Sequence, residues 1–190
     1  MNPKSLIKIF LITCMFMIGI SCNQKNIELS HKDIVVEYIK GLNESDFSSF
    51  SDFLNDSIVS MEGDITISKT KTDLYTIFQW DSVFSPEYRL IDTIENPNNI
   101  EVIISKECHR IRFLHDSSTI YRSIFEFEDN KISKITTVEN IIFDTSKWQV
   151  RRDSLVNWID SNYPELQGFI YNQTIQGAND YIKAIHYYSQ

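Results

Sequence analysis

Apolar residues follow three rhythms along this chain: an unbroken run near the start, alternation in the middle, and helical spacing on either side of that middle. Ser30 followed by Asp33 carries an N-cap signature, and Ile34, Val35, Tyr38, Ile39 and Leu42 fall on one face of a 3.6-residue repeat. This predicts a first helix to about Leu42. Past Asn43-Glu44-Ser45, the residues Phe47, Phe50, Phe53 and Leu54 make a second short stripe, with Ser45 or Asp46 as its cap. Ile58, Val59 and Met61 before Glu62-Gly63-Asp64, and Ile65 and Ile67 after it, predict two short strands with Gly at the turn. Thr70 and Asp73 then cap a third helix carrying Leu74, Ile77 and Phe78. It must end before Ser85-Pro86, because the residue before proline avoids the helical region, and Trp80 and Asp81 are expected in the loop after it.

From Tyr88 the pattern is that of strands: Tyr88–Glu95, Ile100–Leu114, Thr119–Glu128 and Lys131–Val138, separated by Asn96-Pro97-Asn98-Asn99, His115-Asp116-Ser117-Ser118 and Asp129-Asn130. In the second of them Val102 and Ile104 lie on one parity, Ile111 and Phe113 on the other. A bulge between Glu107 and Arg110 lets both sets face the core. Beyond residue 143 the rhythm is helical again: Trp148, Leu155, Trp158 and Ile159 form a stripe ended by Pro164, and Ile175, Ala178, Ile182 and Ile185 form another. Residues 144–190 are too few for an independent core, so they are expected to pack on the outside of the sheet or across an opening. The fold class is α+β: a curved antiparallel sheet wrapped around N-terminal helices as a cone, with a C-terminal helical extension.

The unbroken run belongs to a leader. Lys4 and Lys8 precede an apolar stretch from Ile9 to Ile20, too short to span a bilayer as a helix, and Gly19-Ile20-Ser21 leads into Cys22. That ending resembles the lipobox of bacterial lipoproteins, in which the cysteine is acylated and becomes the first mature residue. The resemblance implies a signal peptide over 1–21, lipidation at Cys22, a tether over 22–30 and a membrane anchor; the usual Leu three residues before the cysteine is here Gly19. With no Asp after Cys22 and no acidic run, the expected location is the outer membrane, facing the periplasm. Twenty-nine Ile against two Ala reads as the codon bias of an AT-rich bacterial genome.

The 190 residues carry a formal charge of −8, which becomes −10 without Lys4 and Lys8. Nucleic-acid binding is disfavoured at that charge. Once Cys14 has left and Cys22 is acylated, Cys108 remains as a single thiol, read as a small buried hydrophobe in a strand. No Gly-rich phosphate loop, Gly-x-Ser-x-Gly elbow or His-Glu-x-x-His pair occurs, and His31, His109, His115 and His186 are too scattered for a metal site. No cofactor or metal is expected.

The order helix, helix, short strands, helix, long antiparallel strands is similar to that of the nuclear transport factor 2-like superfamily. The resemblance covers residues 31–143 and is carried by Asp33-Ile-Val-Val-Glu-Tyr-Ile-Lys-Gly-Leu, Asp46-Phe-Ser-Ser-Phe, and the paired Tyr121-Arg-Ser-Ile-Phe-Glu-Phe and Lys131-Ile-Ser-Lys-Ile-Thr-Thr. It implies a conical cavity open at one end. The superfamily includes ketosteroid isomerases, polyketide cyclases and dehydratases, ligand binders and noncatalytic dimer modules, so the fold by itself leaves function open.

Enzymes of this shape use a carboxylate to move a proton beside a carbonyl while a Tyr or second acid holds the oxyanion. The polar residues able to face such a cone are Tyr38, Asp81, Glu107, His109 and Tyr121. Glu107, His109 and Ile111 share a parity that points inward if Ile111 is core, whereas Arg110 and Arg112 favour a solvent-facing strand. Trp80, Trp148, Trp158, Tyr181, Tyr187 and Tyr188 either line a pocket or anchor the tail on the cone. Tyr38, Trp80 and Tyr121 are the ligand-binding candidates, and Glu107, His109 and Asp81 the catalytic ones. The expected function is noncatalytic binding of a small apolar ligand or a protein partner by a lipid-anchored envelope protein; the alternative is an isomerase, dehydratase or cyclase. A homodimer on the sheet face is a further expectation.

Overall fold

Helix α1 (His31–Glu44) begins at a full capping box: the Ser30 hydroxyl accepts from the Asp33 backbone N–H at 3.1 Å, and the Asp33 carboxylate accepts from the Ser30 N–H at 3.2 Å. The computed structural model describes residues 29–190, so the leader, Cys22 and the tether as far as residue 28 lie outside the described residues. Ile34, Val35, Tyr38 and Ile39 form the buried face of α1. A single turn, α2 (Ser48–Ser51), folds back against that helix, and Gly41 permits the approach, since a Cβ there would collide with the Phe50 ring.

The stripe expected as a helix to Leu54 is helical for that one turn only. Phe53 O accepts from Ile132 N at 2.8 Å, which draws the chain into the sheet, and Leu54 becomes the first residue of β1 (Leu54–Glu62). Strands β2 (Ile65–Ser68), β3 (Glu87–Asn96), β4 (Asn99–Glu107), β5 (Thr119–Glu128) and β6 (Lys131–Ile142) complete a six-stranded sheet in the order β2-β1-β6-β5-β4-β3. The β1–β6 pair is parallel and every other pair antiparallel, so the sheet is mixed rather than antiparallel throughout. A parallel pair needs a long crossover, and here the chain between β1 and β6 supplies it. Register shifts between Leu90 and Asp92 and at three points along β5–β6 accompany the curvature. Helix α3 (Lys71–Ser82), capped by Thr70 as expected, packs inside the curve with α1. Trp80 and Asp81 lie on its last turn rather than in the loop beyond it.

The second long strand is shorter than its apolar run. It ends at Glu107, where Cys108 Sγ accepts from Ile111 N at 3.4 Å and starts helix α4 (His109–His115). No bulge is needed: Ile111 and Leu114 are buried at helical spacing, and Cys108 is an N-cap, not a strand residue. The chain continues through α5 (Thr145–Asn162), two 3₁₀ turns at Pro164–Leu166 and Phe169–Tyr171, and α6 (Ile175–Tyr188). His115 ties the tail down, its Nε2 accepting from Asp144 N at 2.7 Å at the start of α5. Ala178, Tyr181 and Ala184 carry the buried face of α6 while Ile175 is exposed, a rotation from the expected stripe.

Two hydrophobic clusters result. The first joins α1, α2 and α3 to the inner face of the sheet through residues such as Tyr38, Phe50, Val102 and Phe125. The second joins Phe84, Cys108, Ile111 and Leu114 to Leu155, Ile159, Phe169 and Tyr181 of the tail. The tail therefore packs on α4 and α3 rather than on the sheet face.

Candidate functional site

Alternation along the inner strands decides what faces the space between α1, α3 and the sheet. On β4, Val102, Ile104 and Lys106 share the inward parity, and on β5 Tyr121, Ser123 and Phe125 do. Of these, Ile104, Lys106, Tyr121, Ser123 and Phe125, with Tyr38 of α1, Trp80 and Asp81 of α3, Tyr88 of β3 and Arg110 of α4, line a cavity of about 420 Å³. Phe47, Phe50, Leu74 and Phe78 make its apolar part, and Gln173 of the loop before α6 reaches it from the tail. Gly177 holds that loop close, because a Cβ at its position would collide with Asn172 O.

Buried charge is concentrated at one end. Lys106 Nζ lies 2.7 and 2.8 Å from the two Asp81 oxygens, and the Tyr88 hydroxyl donates to Asp81 Oδ2 at 2.6 Å. Lys106 also sits 4.9 Å above the Tyr88 ring centre, opposite which it pairs in the β3–β4 register. Burial by itself would raise the Asp81 pKa; the Lys106 charge and hydrogen bonds, the Tyr88 hydroxyl and the Arg110 charge outweigh it and hold the carboxyl below its ordinary value. Asp81 is thus an ionised carboxylate with both oxygens engaged. Asn43 fixes the position of Tyr88, its side chain accepting from Tyr88 N at 2.6 Å and donating to Tyr88 O at 2.9 Å.

The tyrosines behave oppositely. Burial, and then the Asp81 charge, push the Tyr38 hydroxyl far above its ordinary pKa; burial, Tyr38 and Asp81 do the same for Tyr121. Both remain protonated donors at every physiological pH. Tyr88 is bonded to Asp81, whereas neither the Tyr38 nor the Tyr121 hydroxyl has a hydrogen-bond partner among the described residues. The arrangement offers two neutral O–H donors beside a neutralised ion pair in a mostly apolar chamber.

The structure brings Tyr38, Trp80, Asp81 and Tyr121 together on this one cavity and leaves Glu107 and His109 outside it. Glu107 falls on the outer parity of β4 and pairs with Arg112, whose Nε is 2.9 Å away. His109 is an exposed first residue of α4. Their shared strand parity disappears because the strand stops between them. Trp158 packs on both Tyr163 and Tyr188 within the tail, and Trp148 packs on Phe143. Lys106, Tyr88 and Arg110 are site residues that the sequence reading passes over. Lys106 had a signal, since it continues the Ile100, Val102, Ile104 alternation; Tyr88 and Arg110 had none. A wider groove of about 890 Å³ opens on the outside between α2 and α3 and shares Phe47 and Phe78 with the cavity wall. Among the described residues no group of His, Cys, Asp and Glu is placed to hold a metal ion, and no helix is long and apolar enough to cross a membrane.

No family model and no curated protein matches the chain. Solved structures do. A nuclear transport factor 2-like protein of unknown function from Cytophaga hutchinsonii superposes with a TM-score of 0.51 at 14% identity, covering 64% of this chain and 96% of that one. A protein from Kribbella flavida gives 0.51 at 11%, covering 64% and 93%. TerC, crystallised with polyporic acid, gives 0.51 at 10%, covering 65% and 98%. At these identities the likeness is one of fold: the chain has the nuclear transport factor 2-like cone, extended by a helical tail.

Proposed function

We propose that this chain is a bacterial envelope protein, anchored through lipid on Cys22 in the outer membrane and facing the periplasm, whose cone binds a small, mostly apolar molecule without transforming it. One observation carries the binding reading: Tyr38 and Tyr121 present unpartnered hydroxyls to a cavity large enough for a two- or three-ring compound. Neither hydroxyl is among the fully enclosed unpartnered side-chain atoms, so both open onto the cavity space. A carbonyl or ether oxygen of a ligand supplies the missing acceptor. The noncatalytic part rests on Asp81, the carboxylate in the cavity positioned nearest these hydroxyls. Its oxygens are bound by Lys106 and Tyr88 and its pKa is depressed, which makes it a poor general base.

The alternative, a proton-transferring isomerase or cyclase, draws on the same co-location of a carboxylate and two tyrosine donors. Both readings are tested with 2-acetonaphthone, a flat ketone with exchangeable methyl protons. Calorimetry is expected to show binding that weakens by about 3- to 10-fold for each of Tyr38→Phe and Tyr121→Phe, with no exchange of the methyl protons for deuterium. Absence of binding contradicts the ligand reading, and exchange that disappears in Asp81→Asn establishes the catalytic one. For the anchor, incorporation of labelled palmitate that is lost in Cys22→Ser is the expected result; equal labelling of both forms refutes it.

A further inference from the structure

Arg110 is unlike the other arginines of this protein. Arg89, Arg112, Arg122, Arg151 and Arg152 each have a carboxylate partner. Arg110 has no ion pair or hydrogen bond among the described residues, and its Nε is buried without a partner. Its guanidinium carbon lies 4.7 Å from the Trp80 ring centre and 5.4 Å from those of Phe84 and Trp148. Aromatic faces hold a guanidinium by its plane and leave the N–H edge free for a planar acceptor. The residue also lines the cavity, where the other cation, Lys106, is already matched by Asp81. One positive charge is left over at this end. The remaining charged residue on the lining is Glu62, which is exposed and sits on β1, three strands from β4.

We infer that Arg110 is an anion-recognition residue and that the molecule bound in the cone is a monocarboxylate on an apolar ring body. The carboxylate meets the two terminal nitrogens of Arg110, whose Nε is enclosed, and the ring body extends between Tyr38, Tyr121 and the phenylalanines. A surplus cation fixed in a cavity of a protein carrying a net −8 is not a by-product of general basicity. A carboxylate supplies both the missing countercharge and a bidentate acceptor. This inference rests on the cone being a small-molecule site, as proposed above, and adds the charge of the ligand.

The test compares 2-naphthoate with its neutral isostere 2-naphthamide on the full chain by calorimetry. Naphthoate is expected to bind about 10- to 100-fold more tightly than the amide, the range for a charge-assisted hydrogen-bonded contact. Arg110→Gln should abolish that preference, and Arg110→Lys should keep part of it. Equal affinities in the unsubstituted protein overturn the inference but leave the cone a ligand site. A preference that survives in Arg110→Gln overturns it too. No binding of either probe removes the ligand reading and this inference with it. Where Arg110→Gln fails to fold, Arg110→Lys decides the matter, and a preference as large as in the unsubstituted protein overturns the inference.

Discussion

The two hydrophobic clusters are made from different materials. In the tail cluster Leu155, Ile159, Ala178 and Ala184 have no exposed surface, and the chain's only two alanines are both spent there, letting α6 lie close against its neighbours. The cone cluster is built of large rings: Tyr38 meets Phe50 and Phe125 edge to face at 5.0 and 5.5 Å, and Phe47, Phe50 and Phe78 continue the set. Large rings braced against a curved sheet do not close the space they surround, and the cone retains a chamber of about 420 Å³. That chamber holds the Asp81–Lys106 ion pair and the Tyr38 and Tyr121 hydroxyls. One side of the molecule is packed for stability, the other keeps room for something else, and Trp80, Phe84 and Arg110 form the seam.

Substitutions on the two sides should differ in kind. The largest effect is expected for Lys106→Met, which strands a buried carboxylate and should lower stability by about 3–5 kcal/mol at neutral pH. The double variant Asp81→Asn/Lys106→Met should recover most of this, and urea unfolding of the three proteins measures it. Leu155→Ala should cost about 3 kcal/mol through the void it leaves, with probe binding in the cone unchanged. Tyr88→Phe removes one hydrogen bond to a carboxylate and should cost about 1–2 kcal/mol. The smallest effect is expected for Tyr38→Phe: its hydroxyl has no partner to lose, so stability should move by less than about 0.5 kcal/mol while ketone binding weakens.

Acid sharpens the same contrast. The folded pKa of Asp81 is depressed, so the folded state binds that proton more weakly than the unfolded chain does. The resulting stabilisation is complete above the unfolded value of about 4 and declines as pH falls from there through the depressed folded value. The stability advantage of the parent over Asp81→Asn/Lys106→Met should therefore shrink below about pH 4. Tyr38 and Tyr121 work in the other direction: their raised folded values give stability that is present below about pH 10 and is lost as pH climbs through those values.

Much of the cone was legible because its signals are local. The Ser30–Asp33 and Thr70–Asp73 caps and the limits of β5 follow from short-range chemistry. The alternation that carries Tyr121, Ser123 and Phe125 inward is equally local. What escaped depended on partners far along the chain. Leu54 becomes a strand residue through the bond between Phe53 and Ile132, and the parallel β1–β6 pair has no local mark at all. The end of β4 was hidden by an unusual cap, since cysteine is not among the residues that ordinarily start helices. That single misreading carried Glu107 and His109 toward the cavity on paper and kept Arg110 out of it. Tyr38 was visible as a polar residue in an apolar stripe and Asp81 as an acid near the end of α3, but the Asp81 partners Lys106 and Tyr88 belong to strands that meet α3 only in the folded chain.

The central claim is that the cone is an occupied site rather than a packing defect, and native mass spectrometry of the full chain isolated from its own membranes tests it directly. The account predicts one small molecule per chain, released on denaturation and diminished in the Tyr38→Phe/Tyr121→Phe double variant. A bare protein mass for the parent chain, under conditions gentle enough to keep it folded, contradicts it.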